Sequence, residues 1–412
     1  MSVESQPEDR ETARREIAAD GPAVPKRVGS VDAYRGLVML LMMAEVLEFR
    51  HLAGTFKDNP VWGFLALQQT HVEWRGCSLH DLIQPSFSFL VGVALPFSLA
   101  SRIRRGQSKG AAIAHAAWRA LILTWLGIFL RSVGNRQANY TFEDTLTQIG
   151  LGYFPLFLIG LCKPWVRWVA LLVILVGYWG AFALYPLPGP DFDYNVAGVP
   201  ADWAHHATGF AAHWNKNTNA AWAFDRWFLN LFPRSKPFTH NGGGYATLSF
   251  IPTLGTMLLG LIAGGWLKGE KRPWSKAGVM FVVGLVSLGL GYAADRYGIC
   301  PSVKRIWTPS WVLFSGGWCF VLLSAFYVVI DVIGLRGWSY PLRVIGRNSI
   351  AAYMMAHLIG DFTRQSFRTH LGPDVFAIFG EAYEPLVAGG TVLAVYWLIL
   401  FWMDRRKIYL RV

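Results

Sequence analysis

Two histidines and three other charged or ionisable residues lie between His71 and Asp81, just before a long apolar run. An imidazole is the side chain best able to take up and return a proton near neutral pH. Ionisable residues at the entrance of a membrane helix are costly to keep there, and they usually mark a pathway or a site. The alternative is a polar loop that only caps the helix, with Asp81 near its N-terminus as a partner of the helix dipole.

The composition indicates an integral membrane protein. Of the 412 residues, 53% are hydrophobic and only 16% are charged, whereas soluble domains carry about 25% charged residues. The net charge of +12 is expected on loops that set the orientation in the membrane, so we predict no nucleic-acid partner. The four cysteines, Cys77, Cys162, Cys300 and Cys319, lack the spacing of a metal site, so no metal is predicted.

Ten apolar runs are candidates for helices that cross the bilayer, which takes about 20 residues each. They cover residues 31–49, 82–100, 112–130, 145–162, 166–185, 245–267, 277–294, 311–333, 348–361 and 386–403. The pattern predicts an all-α, polytopic transmembrane helical bundle of about ten helices over residues 29–408. Residues 1–28 are polar and lack the apolar core of a signal peptide, so we predict a disordered cytoplasmic tail.

Clusters of Lys and Arg follow every second span, and this alternation sets the orientation. With both termini cytoplasmic, the basic loops all fall inside, and we predict a bacterial inner (cytoplasmic) membrane. Lys304 and Arg305 then fall outside, either as contacts for an anion or substrate or as lipid-headgroup anchors, and we favour anchors. The same orientation puts His71 and His357 near the outer face and Asn348 near the inner end of its helix.

Residues 186–243 form a long polar segment that the orientation places outside the membrane. The segment is rich in Pro, Asn, His and Trp, so it is interpreted either as a lid over a sugar or as a folded loop without a role in the site. Cys77 and Cys300 also fall in outer loops, where an oxidising compartment permits disulfides. A bridge between them is left open, because disulfide geometry cannot be read from sequence.

Several motifs occur in the order in which one family of membrane enzymes carries them. They are Val31-Asp32-Ala33-Tyr34-Arg35-Gly36-Leu37, His71-x-x-Trp74-x-Gly76-x-x-x-x-Asp81-Leu82-x-x-Pro85-x-Phe87-x-Phe89-x-x-Gly92, Ile251-Pro252-Thr253-Leu254-Gly255-Thr256-x-Leu258-Leu259-Gly260, Lys304-x-x-Trp307-Thr308-Pro309-Ser310, Asp331-Val332, and Gly346-x-Asn348-Ser349-Ile350-x-x-Tyr353 with His357. Together they resemble the heparan-α-glucosaminide N-acetyltransferase family of transmembrane acyltransferases, over nearly all of the membrane region.

The resemblance implies transfer of an acetyl group from cytoplasmic acetyl-CoA to an amino sugar on the far side of the membrane. His71 is implied as the base or as an acetyl carrier, and Asp81 as the carboxylate that orients it. Candidate residues for binding the acceptor are Glu45, Glu48, Trp74, Arg75, Lys304, Trp307, Asn348 and His357. Inner basic residues, among them Arg102, Arg104 and Arg347, are candidates for the phosphates of CoA, although topology alone also explains them.

Two departures from the family pattern lie where an acceptor would bind. The family's first helix usually ends with an Asn, but this chain carries Glu45 and Glu48 there. The family's Trp-Asn-Gly is here Trp74-Arg75-Gly76. We therefore expect a bacterial-type relative without the luminal N-terminal domain, whose acceptor is a cell-envelope glycan or glycolipid.

A proton-coupled transporter is the main rival to an enzyme. Glu45, Glu48, Asp81 and His71 have the residue types of a proton relay across a membrane, although no internal repeat is evident. A structural membrane scaffold is the third interpretation, and it leaves the clustered ionisable residues without an explanation. The expected partners are acetyl-CoA, a glycan acceptor, the lipid bilayer and, as an open question, a second copy of the chain.

Overall fold

The computed structural model describes residues 28–410, and the tail predicted at 1–28 lies outside the described residues except for residue 28. Within 28–410 the regular elements are helices, and the β-type contact is an isolated bridge between Arg75 and Val303. The prediction of an all-α helical bundle is confirmed.

The chain enters the bundle through α1 (Gly29–Met43), which continues as a 3-10 turn at Ala44–Leu47. Two short helices, α2 (Phe49–Thr55) and α3 (Pro60–Gln68), then lead to the polar stretch that contains His71. Because α1 is followed directly by this turn and these helices, the end of α1 and the His71 stretch lie at the same end of the bundle.

The remaining helices follow in chain order. The first group consists of α4 (Ile83–Arg104), α5 (Lys109–Ser132), α6 (Thr145–Leu161), α7 (Pro164–Ala183) and α8 (Ala220–Phe228). The second group consists of α9 (Phe250–Lys268), α10 (Pro273–Arg296), α11 (Pro309–Tyr327), α12 (Tyr340–Arg347), α13 (Ser349–Leu358), α14 (Gly360–Leu371) and α15 (Glu384–Arg405).

The chain is an integral membrane protein, since seven of its described helical segments are long and apolar enough to cross a bilayer. These segments contain α4, α5, α7, α9, α10, α11 and α15, and α6 and α13 are shorter apolar helices. Together with α1 they coincide with the ten predicted spans. The ninth predicted span, 348–361, is divided: α13 ends at Leu358 and α14 begins at Gly360.

Glycines bring the backbones of neighbouring helices into direct contact. A Cβ on Gly92 of α4 would lie 1.9 Å from the carbonyl oxygen of Met257, and one on Gly260 of α9 would lie 1.9 Å from that of Phe89. Small residues at such crossings let membrane helices approach closely. The motif glycines of these two helices therefore fix how α4, which carries Phe87, lies against α9.

The first motif of the chain has a packing role of the same kind. A Cβ on Gly36 of α1 would lie 1.8 Å from the carbonyl oxygen of Leu342 in α12. The N-terminus of α1 is capped by Asp331, whose carboxylate accepts hydrogen bonds from the backbone N–H groups of Gly29 (3.2 Å) and Ser30 (3.0 Å). These residues position α1, so that its far end reaches the site.

Successive long helices run in opposite directions, which gives the bundle two ends. We call the end that carries 44–82, 133–144, 184–249, 297–308 and 359–383 the His71 face. The other end, which we call the basic face, carries 102–109, 162–167, 268–276, 333–347 and 404–410. Arg131, Arg136 and Arg226 also lie toward the His71 face, so Lys304 and Arg305 are not the only basic residues there.

The long polar segment 186–243 is folded and packs against the back of the His71 stretch. The Trp203 indole donates a hydrogen bond to Glu73 (2.5 Å), and its ring lies 5.7 Å from that of Trp74. Trp214 is buried between the segment and α7. The segment therefore supports the stretch from the side opposite the cavity that His71 lines, and its residues do not take part in that cavity.

Candidate active site

His71 and Asp81 form a hydrogen-bonded pair in which the carboxylate is buried. His71 Nδ1 lies 2.8 Å from Asp81 Oδ1. Asp81 is fully buried, whereas 38% of the His71 side chain is exposed. Asp81 Oδ2 accepts hydrogen bonds from the N–H groups of Val72 (3.2 Å) and Ser78 (3.0 Å) and from the Ser78 hydroxyl (3.0 Å). The stretch between the two residues thus wraps around the carboxylate, which holds the imidazole in place.

Lys304, from the loop before α11, contacts both residues of the pair. Its Nζ lies 3.1 Å from Asp81 Oδ1 and 3.0 Å from His71 Nδ1, and only 4% of the residue is exposed. The isolated bridge between Arg75 and Val303 holds the loop that carries Lys304 next to the segment between His71 and Asp81. The interpretation of Lys304 as a headgroup anchor is therefore wrong, because its ammonium is buried in an ion pair.

Burial and charge set the protonation of these two groups. Burial lowers the pKa of the His71 imidazole, and the nearby charge of Lys304 acts in the same direction, while the hydrogen bond to Asp81 opposes both. Burial likewise lowers the pKa of Lys304, against the attraction of Asp81. His71 therefore stays neutral at a lower pH than an ordinary histidine, which suits a base.

A second imidazole–carboxylate pair lies beside the first. His80 Nε2 is 3.0 Å from Glu45 Oε1, and the ring centroids of His71 and His80 are 4.4 Å apart. His80 is 8% exposed, whereas 56% of the Glu45 side chain is exposed. Glu45 comes from the 3-10 turn after α1, so two distant parts of the chain meet here.

His71, His80 and Glu45 line a cavity of about 440 Å³, which we call the histidine cavity, whereas Asp81 is buried behind His71. His357 lies in its wall, with Nδ1 donating to the carbonyl of Tyr353 (2.9 Å), so that Nε2 is left as an acceptor. Glu48 also lines it and is held by Arg364 (2.9 Å). His71 and His357, which are far apart in the sequence, line the same cavity.

The histidine cavity continues into a wider opening of about 700 Å³, which we call the vestibule. Glu45, Glu48, His71 and His80 line both. Other residues of the vestibule are Arg50, His51, Gln69, Thr70 and Arg305. A ligand entering from the His71 face would therefore meet both imidazoles and the Glu45 carboxylate.

A third cavity, of about 590 Å³, opens at the basic face, and we call it the arginine cavity. Its cationic lining consists of Arg35, Arg102, Arg105, Arg119 and Arg347, with His115. Phe87 of α4 lines both the arginine cavity and the histidine cavity. One aromatic side chain thus lies between a basic pocket on one face and the imidazoles on the other.

Of the three arginines named as candidates for the CoA phosphates, Arg102 and Arg347 line the arginine cavity, whereas Arg104 does not. Arg102 binds Gln107 (3.0 Å) and lies 3.2 Å from the His115 ring. Arg347 donates to both carboxylate oxygens of Asp404 (3.0 Å each). Arg102 is therefore held by neutral partners, whereas the charge of Arg347 is already paired.

Four residues predicted to bind the acceptor lie outside the histidine cavity. Trp74 is buried against Trp203, and Arg75 pairs with Asp295. The indole of Trp307 donates to Thr256 (3.0 Å). Asn348 is at the basic face, where its side chain binds the backbone of Ile408 and Leu410. These side chains anchor loops and the chain end, so their part in the site is indirect at most.

Some residues of the site were not assigned a role from the sequence. His80, Phe87, Asp361 and Arg364 line the histidine cavity. Arg119 was detectable, because it interrupts the apolar run 112–130 and a charge inside a span is a functional signal. The pairing of His80 with Glu45 was not detectable, because it depends on where α1 ends relative to α4.

The four cysteines are free thiols, so Cys77 and Cys300 do not form a disulfide. Burial raises the pKa of the Cys77 thiol to about 12 and that of Cys300 to about 11. Neither is a nucleophile near neutral pH, because the thiolate is the reactive form. Within 28–410, no group of three or more His, Cys, Asp or Glu has an arrangement that would hold a metal ion.

The fold and the site together define a polytopic membrane protein with an imidazole–carboxylate pair in a cavity between its helices. Within that class, the chain is 26% identical to the human protein named heparan-α-glucosaminide N-acetyltransferase over 95% of its length. It is 24% identical to the mouse protein of that name over 92% of its length. These similarities confirm the family resemblance of the motifs. The chain spans 60% of the length of each of these relatives. No family model matches it.

Proposed function

We propose that this protein is a transmembrane acetyltransferase that moves an acetyl group from acetyl-CoA to the amine of an amino sugar or a related glycan. The observation that carries the proposal is the position of Phe87, between an arginine-lined cavity on one face and the His71–Asp81 pair on the other. The names of the two mammalian relatives, both N-acetyltransferases, support the reaction type.

In this proposal His71 is the general base. Its Nδ1 donates to Asp81, which leaves Nε2 to take a proton from the amine as the amine attacks the thioester carbon. The carbon–sulfur bond then breaks, and the proton on His71 passes to the leaving sulfur. A carrier route, in which Nε2 itself is acetylated first and then transfers the acetyl group to the amine, uses the same atom.

The donor would bind from the basic face. Guanidinium groups form strong, often bidentate, hydrogen bonds with phosphates, and Arg102, Arg105 and Arg119 line the arginine cavity. Acetyl-CoA is the donor in this proposal, with its nucleotide at these arginines and its thioester directed toward Phe87. Proton transfer at His71 and phosphate binding by these arginines need no metal ion.

The charge of the loops supports a sidedness for the reaction. The basic face carries the Lys and Arg clusters that the positive-inside rule assigns to the cytoplasm. Both termini and the arginine cavity would then be cytoplasmic, and the histidine cavity, the vestibule and the 186–243 segment extracytoplasmic. A bacterial inner membrane would fit this arrangement. The acceptor would be a glycan or glycolipid of the cell envelope.

A proton-coupled transporter is the second candidate function, and one observation favours it. Cavities from opposite faces approach each other at a single side chain, Phe87, as alternating access requires. The two functions differ in their need for CoA. Counterflow of a labelled solute without CoA would support the transporter, whereas acetyl transfer in detergent, where no gradient exists, supports the enzyme.

The test is transfer of radiolabelled acetyl from acetyl-CoA to glucosamine by the purified protein in nanodiscs. His71→Ala should abolish the transfer, since loss of a general base typically costs a factor of about 10² or more. His370→Ala, on the exposed part of α14, is the matched histidine control and should keep wild-type activity. Near-normal transfer by a folded His71→Ala variant would show that His71 is not the base.

A further inference from the structure

The histidine cavity holds two imidazole–carboxylate pairs, although removal of one proton by one base needs only the first. His71 pairs with Asp81 at 2.8 Å, and His80 pairs with Glu45 at 3.0 Å. The rings are 4.4 Å apart, and His71, His80 and Glu45 line both the histidine cavity and the vestibule. The carboxylates differ, because Asp81 is fully buried whereas more than half of the Glu45 side chain is exposed.

Glu45 is the member of these pairs that a ligand can contact directly. Glu45 lines both cavities, and more than half of its side chain is exposed. The titratable and charged groups that face the second pair across these cavities are His71, Lys304, Glu48, His357, Asp361, Arg364, Arg50, His51 and Arg305. Two of the cations are neutralised, Lys304 by Asp81 and Arg364 by Glu48. Glu45 has no cation other than the His80 imidazole within ion-pair distance among the described contacts.

We propose that Glu45 and His80 form a second base, which removes the first proton from a protonated amine acceptor, while His71 handles the second. This inference rests on the proposed function. It adds to that function that the amine acceptor enters the histidine cavity as an ammonium ion and loses its first proton there.

The proton count explains why two bases are useful. An ammonium has no lone pair, so it cannot attack a thioester until one proton is lost. That proton passes through the Glu45 carboxylate to Nε2 of His80, 3.0 Å away, when the imidazole is neutral and carries its own proton on Nδ1, and it then leaves to water in the vestibule. The free amine then attacks the carbonyl carbon, and the new carbon–nitrogen bond leaves a second acidic proton on the nitrogen.

His71 takes that second proton and returns it to sulfur as the carbon–sulfur bond breaks. The overall reaction is R–NH₃⁺ plus acetyl-S-CoA giving R–NH–acetyl plus CoA-SH plus one proton. If His71 acted alone, it would have to release the first proton before it could accept the second. The second pair removes this conflict, because each imidazole carries one proton in each turnover.

The experiment compares two acceptors that differ in protonation at neutral pH. Glucosamine is largely an ammonium ion, whereas p-anisidine, a weakly basic arylamine, is already a neutral amine. His80→Gln and Glu45→Gln keep approximate side-chain size and hydrogen bonding, and His370→Gln is the control for a histidine outside the cavity. Thermal unfolding and size-exclusion elution of each variant establish that it is folded.

We expect His80→Gln and Glu45→Gln to lower kcat/KM for glucosamine several-fold at neutral pH, because only the fraction that is already a free amine can then react, with little change for p-anisidine. The loss with glucosamine should shrink as the pH rises and the free amine forms in solution. His71→Ala should lose acetyl transfer to both acceptors. An equal loss with both acceptors would overturn the inference, because it would mean that His80 and Glu45 only position the acceptor. Unchanged glucosamine transfer by either variant would overturn it as well. If the wild type acetylates neither amine, the proposed function itself fails.

Discussion

Lys304 Nζ lies 3.0 Å from Nδ1 of His71, the same nitrogen that is 2.8 Å from Asp81 Oδ1. A protonated lysine and an imidazole N–H cannot both donate toward each other, so the carboxylate must mediate between them. Asp81 Oδ1 does so, since it contacts the lysine at 3.1 Å as well. The three side chains form one charge-coupled unit, and a change in any of them must alter the other two.

The first prediction concerns the pH dependence of the proposed reaction. The charge of Lys304 disfavours the imidazolium form and so contributes to the lowered pKa of His71. Lys304→Met removes this charge, and the pKa of His71 should therefore rise. Because the base is the neutral imidazole, the acidic limb of the kcat/KM profile should move to higher pH. Lys57→Met, an exposed lysine on the same face, is the control. An acidic limb that moves to lower pH in Lys304→Met would contradict the effect of the Lys304 charge on the pKa of His71.

The second prediction concerns stability. Asp81→Asn leaves Lys304 buried without its carboxylate, and breaking a buried ion pair in this way costs about 3–5 kcal/mol. The double variant Asp81→Asn with Lys304→Met removes both charges, so it should be more stable than Asp81→Asn alone. Thermal unfolding in detergent measures the difference. A double variant that is less stable than Asp81→Asn would show that the ion pair does not account for the loss.

Activity should separate from stability in these variants. Asp81→Asn keeps the shape of the side chain, so if Asp81 only orients the imidazole its effect on acetyl transfer should be smaller than that of His71→Ala. The loss in stability arises from Lys304, which the sequence did not connect to Asp81.

The membrane helices and the His71–Asp81 pair were predictable because both depend on local sequence. Apolar length predicts a span, and the ten-residue separation of His71 and Asp81 lets one loop fold around the carboxylate. Lys304 was misinterpreted because the positive-inside rule describes loop charge in general and carries no information on pairing. Its partner lies 223 residues away, and the bridge between Arg75 and Val303, together with the hydrogen bond from Arg305 to the Val72 carbonyl (3.3 Å), brings them together.

The acceptor side of the site was predictable in part. Glu45 and Glu48 line the cavity as expected, because they end a helix that must reach the His71 face. Trp74 and Arg75 lie between His71 and Asp81 in the sequence, yet their side chains contact Trp203 and Asp295 instead of lining the cavity. Proximity in sequence could not tell which side of the stretch faces the cavity, because the 186–243 segment decides this by covering the other side.

The third prediction concerns Phe87, which lies between the two cavities. If the thioester must pass this side chain, Phe87→Trp should obstruct it and lower kcat, by roughly 10²-fold if the reacting atoms are displaced by about 1 Å. Phe87→Ala should keep the passage open and admit acyl groups longer than acetyl. Phe97→Trp, further along α4 and outside both cavity linings, is the control. Equal rates for Phe87→Trp and the wild type would exclude a passage at this position.

The fourth prediction concerns recognition of the donor. Arg102→Ala and Arg119→Ala should each raise KM for acetyl-CoA, because hydrogen bonds to charged groups contribute about 1.5–3 kcal/mol. KM for S-acetylpantetheine, which lacks the nucleotide phosphates, should stay unchanged. Arg104→Ala is the matched control, since Arg104 is on the same helix but does not line the arginine cavity. An equal rise in KM for both donors would mean that these arginines shape the cavity rather than bind phosphate.

The last prediction concerns the orientation in the membrane, on which the direction of acetyl transfer depends. In a background with Cys162, the exposed native thiol, replaced by Ser, a cysteine is introduced at Gln107 on the basic face or at Asp191 in the 186–243 segment. The alternation of basic loops predicts that an impermeant maleimide added to intact spheroplasts labels Asp191→Cys but not Gln107→Cys. Permeabilisation should then expose Gln107→Cys. Labelling of both sites in intact cells would contradict the assignment, and labelling of Gln107→Cys alone would reverse it, so that His71 would face the cytoplasm.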